Sequence, residues 1–189
     1  MDAYLLALLA FIAALLLFSV PYLIWYGRVR GVAQEPGRRS DWLLAIVWFS
    51  ALAVALYERL VLNWTAFGGW LLVAGVALVI LGIGGRLMCR RTLGRYHLPQ
   101  LKIQPGHRLV SIGLYRYVRH PMYAAHLLLD IGLTLALSSI LGTLLMGVGM
   151  LAGFVYRIRV EEALLGAQFG DEWWEYVART SYRMIPFVY

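Results

Sequence analysis

The chain has 189 residues, 61% of them hydrophobic and 14% charged, and carries a net charge of +7; its mean hydropathy is +0.71. A soluble domain is about half apolar and a quarter charged, so this chain is too apolar to hide its surface in one globular core, and lipid is its solvent. The basic excess does not point to nucleic acid, because the arginines lie in loops that flank apolar runs, as they do in membrane proteins.

Five apolar segments are long enough, or nearly so, to cross a bilayer. They run Ala3–Tyr26, Trp42–Leu62, Gly68–Gly85, Met122–Ser138 and Leu141–Ile158. The first is too long for a signal-peptide core and has no basic stretch before it, so it reads as a retained helix. The predicted fold is therefore all-α and integral to the membrane, with five spans. It is read as a single domain over 1–189, with two spans in 1–67 and the functional core in 68–189.

The loops set the orientation. Arg28, Arg30, Arg38 and Arg39 follow the first span, and Asn63–Phe67 has no basic residue. Between Gly84 and His120 come Arg86, Arg90, Arg91, Arg95, Lys102, Arg108, Arg116 and Arg119 with no acidic residue among them. The turn at Ser138–Gly142 is uncharged, and Arg157, Arg159, Arg179 and Arg183 follow. Basic residues thus favour every second side. This predicts an outside N-terminus and a cytoplasmic C-terminus, in a bacterial inner membrane or another membrane that faces the cytoplasm. Trp25, Tyr26, Trp42, Tyr57, Trp64 and Trp70 stand near span ends, as an interfacial belt would.

The last two spans are joined by very few residues and must form an antiparallel hairpin. Gly149 and Gly153 have the spacing that lets helices approach closely, and the third span is also rich in glycine. Glu161–Gln168 continues the fifth helix into the cytoplasm. Gly166 and Gly170 weaken or end it, and Asp171 is placed to cap a short helix through Ala178. Leu164, Leu165, Phe169, Trp173 and Tyr176 give this region an apolar face.

Four groups of residues have chemical potential. Arg119-His120-Pro121 opens a helix, where proline is tolerated and anions are favoured; it reads as a binding element or as an interfacial anchor with a snorkelling arginine. Glu161-Glu162 is an acidic pair that needs a positive partner, found in Arg157, Arg159 or the basic loop. That pair either ties down the tail or recognises sugar hydroxyls or a cation. The ending Tyr182-Arg183-Met184-Ile185-Pro186-Phe187-Val188-Tyr189 is either a membrane anchor or a cover over a ligand. His126 and Asp130 share one face at i and i+4 within a span, where they either bond to each other or handle a proton or substrate. The four histidines, His97, His107, His120 and His126, lack zinc-site spacing, and the lone Cys89 offers no thiolate set, so no metal is expected.

The order Gly113-Leu114-Tyr115, Val118-Arg119-His120-Pro121-Met122-Tyr123, Glu161-Glu162, Phe169-Gly170, Trp174, Tyr176 and Arg183-Met184-Ile185-Pro186 resembles the isoprenylcysteine carboxyl methyltransferase family. This group includes many prokaryotic membrane methyltransferases and is related to phospholipid methyltransferases. The resemblance covers roughly residues 70–189 and includes Leu93-Gly94-Arg95-Tyr96, with Tyr where the family has Trp. Ala125 stands where the family usually has a small residue, often Gly.

The resemblance implies an S-adenosylmethionine pocket on the cytoplasmic side. Leu114, Tyr115, Val118, Arg119, His120, Tyr123, Glu161, Glu162, Tyr176, Arg183 and Pro186 would form it. Arg157, Glu162 and His126 would serve the reaction. Arginine would grip an acceptor carboxylate, which needs no base, whereas an amine or thiol would call on His126, Asp130 or a glutamate. The acceptor would be a lipophilic small molecule or lipid-linked group entering from the membrane, with membrane lipids as the other partners. Two other readings remain open. The tail also resembles that of NADPH-dependent sterol reductases, and the basic loop would equally suit a non-enzymatic protein that binds anionic lipids.

Overall fold

A computed structural model describes residues 38–62, 69–97, 106 and 108–189 of the chain. The predicted first span, Ala3–Tyr26, and most of the loop after it lie outside the described residues. The described elements are helices α1 (Arg38–Leu60), α2 (Trp70–Leu93), α3 (Pro121–Ala136), α4 (Ile140–Phe169) and α5 (Asp171–Arg179), with short 3-10 turns at Gly94–Tyr96 and Gly113–Arg116. No strand occurs among them.

Three stretches are long and apolar enough to cross a membrane: Ser40–Leu60, Trp70–Leu93 and Ile140–Phe169. Their outer faces suit lipid. Val73 on α2 and Val148 on α4 are 68% and 69% exposed, an arrangement that water would penalise. Trp42, Tyr57 and Trp70 are also exposed near helix ends.

Three boundaries differ from the sequence reading. Helix α2 runs on past Gly85 to Leu93, so Arg86, Arg90 and Arg91 are helical rather than in a loop. Helix α3, read as a span over Met122–Ser138, ends at Ala136 and has only 16 residues. It stops because Ser138 adopts a positive φ of 59°, a region that breaks helical geometry. Ser139 then caps α4, accepting a hydrogen bond from the Gly142 amide at 2.9 Å. Helix α4 has 30 residues and is about 45 Å long. This exceeds the roughly 30 Å of hydrocarbon, so its last turns extend beyond it, as the sequence suggested for Glu161–Gln168. Helix α5 is capped by Gly170, at φ 53°, while Asp171 occupies the first helical position.

Small residues set the packing. A Cβ on Gly82 would lie 2.7 Å from the Ala125 carbonyl oxygen and from Leu129, so α2 and α3 touch backbone to backbone. Ala125, the departure from the family's usual residue, meets Gly82 and Gly85 at this crossing. Gly149 and Gly153 of α4 receive Val47 and Leu44 of α1. Between α1, α3 and α4 lies a core of Ala51, Leu127, Met146, Met150, Phe154 and Ile158, and the tail contributes Met184 to it. Burying Met184 is what brings the C-terminal segment against the start of α3.

Candidate active site

The site forms where three chain segments meet. Proline at the first position of α3 has no amide to satisfy. The two amides before it are taken up by the tail: Arg119 N–H donates to the Tyr182 carbonyl at 3.0 Å, and His120 N–H to the Arg183 carbonyl at 2.7 Å. These two amides are therefore spent on the tail. The side chains of Arg119 and His120 turn instead toward α4.

Glu162 is the centre of the charge network. Arg119 Nε donates to Oε1 at 2.8 Å, and Arg183 Nε donates to Oε2 at 2.9 Å. His120 Nε2 lies 3.2 Å from Oε1. Arg119 also donates through Nη1 to the carbonyls of Thr180 and Ser181, at 2.6 and 2.9 Å. One buried arginine thus joins α4 to the tail. Burial opposes the charge on Arg183, but the Glu162 hydrogen bond and charge outweigh it and hold the guanidinium above its ordinary pKa. Arg183 also lies over the Tyr189 ring, 5.2 Å from its centroid.

Glu161 anchors a second branch. Tyr123 donates to its Oε2 at 2.8 Å and accepts from Arg157 Nε at 3.0 Å. The same Arg157 donates through Nη1 to Ser40 Oγ at 3.3 Å and forms an ion pair with Asp41. The acidic pair therefore takes its positive partners from Arg119 and Arg183, with His120 as a further neighbour, while Arg157 meets a carboxylate from α1. Ser40 and Asp41 were not anticipated. They are separated from Arg157 by more than a hundred residues, and nothing in their local sequence marks them.

A cavity of about 280 Å³ opens beside Glu162, near the lower end of the range for small-molecule sites. Arg119, Glu162 and Arg183 give it a charged side, and Gly166, Trp173, Trp174 and Val177 complete the wall. The three charged residues are among those expected from the sequence, whereas Gly166, Val177 and the tryptophans carry no binding role there. Gly166 leaves room against Trp173, whose ring would lie 3.3 Å from an added Cβ.

The other expected site residues take supporting places. Tyr115 and Val118 are buried, and Tyr176 O–H donates to the Tyr115 carbonyl at 2.7 Å. Burial pushes the Tyr176 hydroxyl up to about 12 and raises that of Tyr115 further, so both remain neutral donors. Leu114 is half-buried and Pro186 is exposed. His126 and Asp130 do not bond to each other. His126 Nδ1 lies 3.1 Å from the Met122 carbonyl, and Asp130 accepts from Trp48 Nε1 at 3.1 Å. In an apolar interior each polar group takes the nearest available partner, and here the partners are the preceding turn and α1. Nor does the network around the two glutamates include His126. Among the described residues, no group of His, Cys, Asp or Glu is placed to hold a metal ion.

Residues 75–167 match the model of the isoprenylcysteine carboxyl methyltransferase family. The chain is 31% identical over 121 residues to protein-S-isoprenylcysteine O-methyltransferase B of Arabidopsis thaliana, covering 63% of this chain and 61% of that one. It is 35% identical over 118 residues to the Saccharomyces cerevisiae protein-S-isoprenylcysteine O-methyltransferase, covering 61% and 49%. It thus spans about half to three-fifths of the length of these two relatives. The solved structure of a eukaryotic intramembrane Ras methyltransferase superposes with a TM-score of 0.66 at 28% identity, covering 76% of this chain and 52% of that one. Both the ordered motifs and the helical fold place the chain in the isoprenylcysteine carboxyl methyltransferase family.

Proposed function

We propose that the chain is an integral membrane methyltransferase that uses S-adenosylmethionine and acts on a lipophilic or lipid-linked acceptor, an isoprenylcysteine carboxylate being the class its relatives' names indicate. The observation that carries this reading is the Glu162 cluster, which lines a small cavity together with two arginines and two tryptophans. The relatives speak for methyl transfer rather than for an NADPH-dependent reductase or a lipid-binding protein.

The residues present fit such a cofactor. Arg119 and Arg183 would hold its carboxylate, Glu162 its hydroxyls or ammonium, and the rings of Trp173 and Trp174 its purine. When bound, the cofactor supplies a methyl group activated by a sulfonium charge. The protein's own task is to position the reactants, and orientation alone contributes several kcal/mol, on the order of 7 or more in favourable cases. Arg157 would grip the acceptor carboxylate through paired N–H groups, and Tyr123 and Glu161 fix its direction. A carboxylate nucleophile releases no proton, so no general base is required, and His126 would be needed only for an amine or thiol acceptor.

The same reading places the site on the cytoplasmic face, with five spans in a single membrane domain and the N-terminus outside. It rests here on the alternation of basic loops. The test is transfer of a labelled methyl group from S-adenosylmethionine to S-farnesylcysteine by the purified protein in detergent, with Arg157→Lys alongside. Label in a base-labile ester, strongly reduced in the variant, supports the reading. Active cofactor binding with no label in this acceptor would move the acceptor to another lipid class.

A further inference from the structure

Arg157 receives its carboxylate from an unexpected place. Asp41 lies in the first turn of α1 and is paired with Arg157 Nη1 across 116 positions of sequence. The pair is largely enclosed, with side chains 7% and 19% exposed. Arg157 is held independently on its Nε side by the Tyr123 hydroxyl at 3.0 Å. A carboxylate thus already occupies the guanidinium that an acceptor carboxylate would need.

The charges make joint occupancy unfavourable. Arg119, Arg157 and Arg183 gather here with Asp41, Glu161 and Glu162. An anionic acceptor would add a fourth negative group to a half-buried cluster of three positive guanidiniums, and like charges at such sites repel strongly. One carboxylate has to give way. The glutamates are committed to Arg119, Arg183, His120 and Tyr123. Asp41 has a second environment within reach, because the N-terminal turn of its own helix favours a negative side chain.

We propose that Asp41 is a resident stand-in for the acceptor carboxylate: it occupies Arg157 in the resting site, yields to the acid form of the acceptor, and returns once that acid has become a neutral ester. This deepens the reading of Arg157 as the acceptor-binding arginine and rests on it. Asp41 thereby sets the affinity for the acid and leaves that for the ester untouched, since only an acid competes with it for Arg157. Tyr123 keeps the guanidinium oriented while its Nη1 partner changes. A purely orienting Asp41 would have the opposite effect, because removing it would loosen Arg157 and weaken acid binding.

The test is binding of N-acetyl-S-farnesylcysteine, whose blocked amine leaves the carboxylate as its one charge, and of its neutral methyl ester to the full chain in detergent, saturated with S-adenosylhomocysteine, for wild type, Asp41→Asn and Asp41→Ser. Release of one charge-assisted contact predicts that the acid binds about tenfold more tightly to both variants, with ester affinity unchanged. Acid binding that is equal or weaker in the variants overturns the proposal. So does the absence of acid binding in every form, because an Arg157 relieved of Asp41 that still ignores a carboxylate is not an acceptor site. S-adenosylhomocysteine binding is read separately and reports whether the methyltransferase reading itself stands. Loss of the folded state in both variants also overturns the proposal, since a stand-in must be dispensable for folding.

Discussion

The Arg119 guanidinium donates through Nε to Glu162 at 2.8 Å, an ion pair whose side chains are 5% and 14% exposed and which joins the start of α3 to the end of α4. Two further donors, from His120 and Arg183, converge on the same carboxylate. Such a pair costs far more to break than it gains on forming, because the surviving charge is left without a partner. Glu162→Gln is therefore expected to destabilise the protein by about 3 kcal/mol. Thermal unfolding in detergent measures this, and an unchanged midpoint would show that Arg119 is held well enough by the Thr180 and Ser181 carbonyls alone.

Trp174 separates binding from folding. Its ring is exposed yet lines the cavity beside Glu162. Trp174→Ala should alter stability by no more than about 0.5 kcal/mol while weakening S-adenosylhomocysteine binding several-fold. Titration calorimetry and a melting curve on one preparation give both quantities. Equal affinity for wild type and variant would remove the indole from the binding wall.

Two glycines of α2 make a matched pair. Gly82 faces the α3 backbone, whereas a Cβ on Gly84 would meet nothing within 4 Å. Gly82→Ala should destabilise by about 1–3 kcal/mol through overpacking. Gly84→Ala should be neutral or stabilising by up to about 1 kcal/mol, from helix propensity. The order of the two melting temperatures is the readout, and the reverse order would contradict the α2–α3 crossing.

At the other end of α4, Ser139 donates to Glu58 and caps the helix through the Gly142 amide. Glu58 is 2% exposed. Ser139→Ala removes a cap worth about 1 kcal/mol and leaves the buried carboxylate with one donor fewer. A loss of about 2 kcal/mol is expected by chemical denaturation, with cofactor binding unchanged because this turn belongs to the opposite end of α4 from Glu162.

The helices were legible because lipid demands long apolar runs, and the hairpin because only a few residues separate its arms. Their ends were less legible. The stop of α3 depends on a positive φ at Ser138, and the length of α2 on arginines that extend a helix beyond its apolar part. In the site, Arg119, Glu162 and Arg183 could be named because they lie in short motifs whose order resembles a family. The Asp41–Arg157 pair has no local signal and exists only once α1 packs on α4. The i, i+4 spacing placed His126 and Asp130 on one face, but Trp48 on α1 supplied the donor that Asp130 took.

On the proposed function, the cavity beside Glu162 holds an S-adenosyl cofactor. The most direct measurement is equilibrium binding of S-adenosylhomocysteine to the purified protein, with NADPH as the competing ligand and His120→Ala beside wild type. Saturable binding that NADPH does not displace, weakened about tenfold or more in the variant, is the predicted result. A folded protein that binds no S-adenosylhomocysteine, or binds NADPH in its place, would contradict the account.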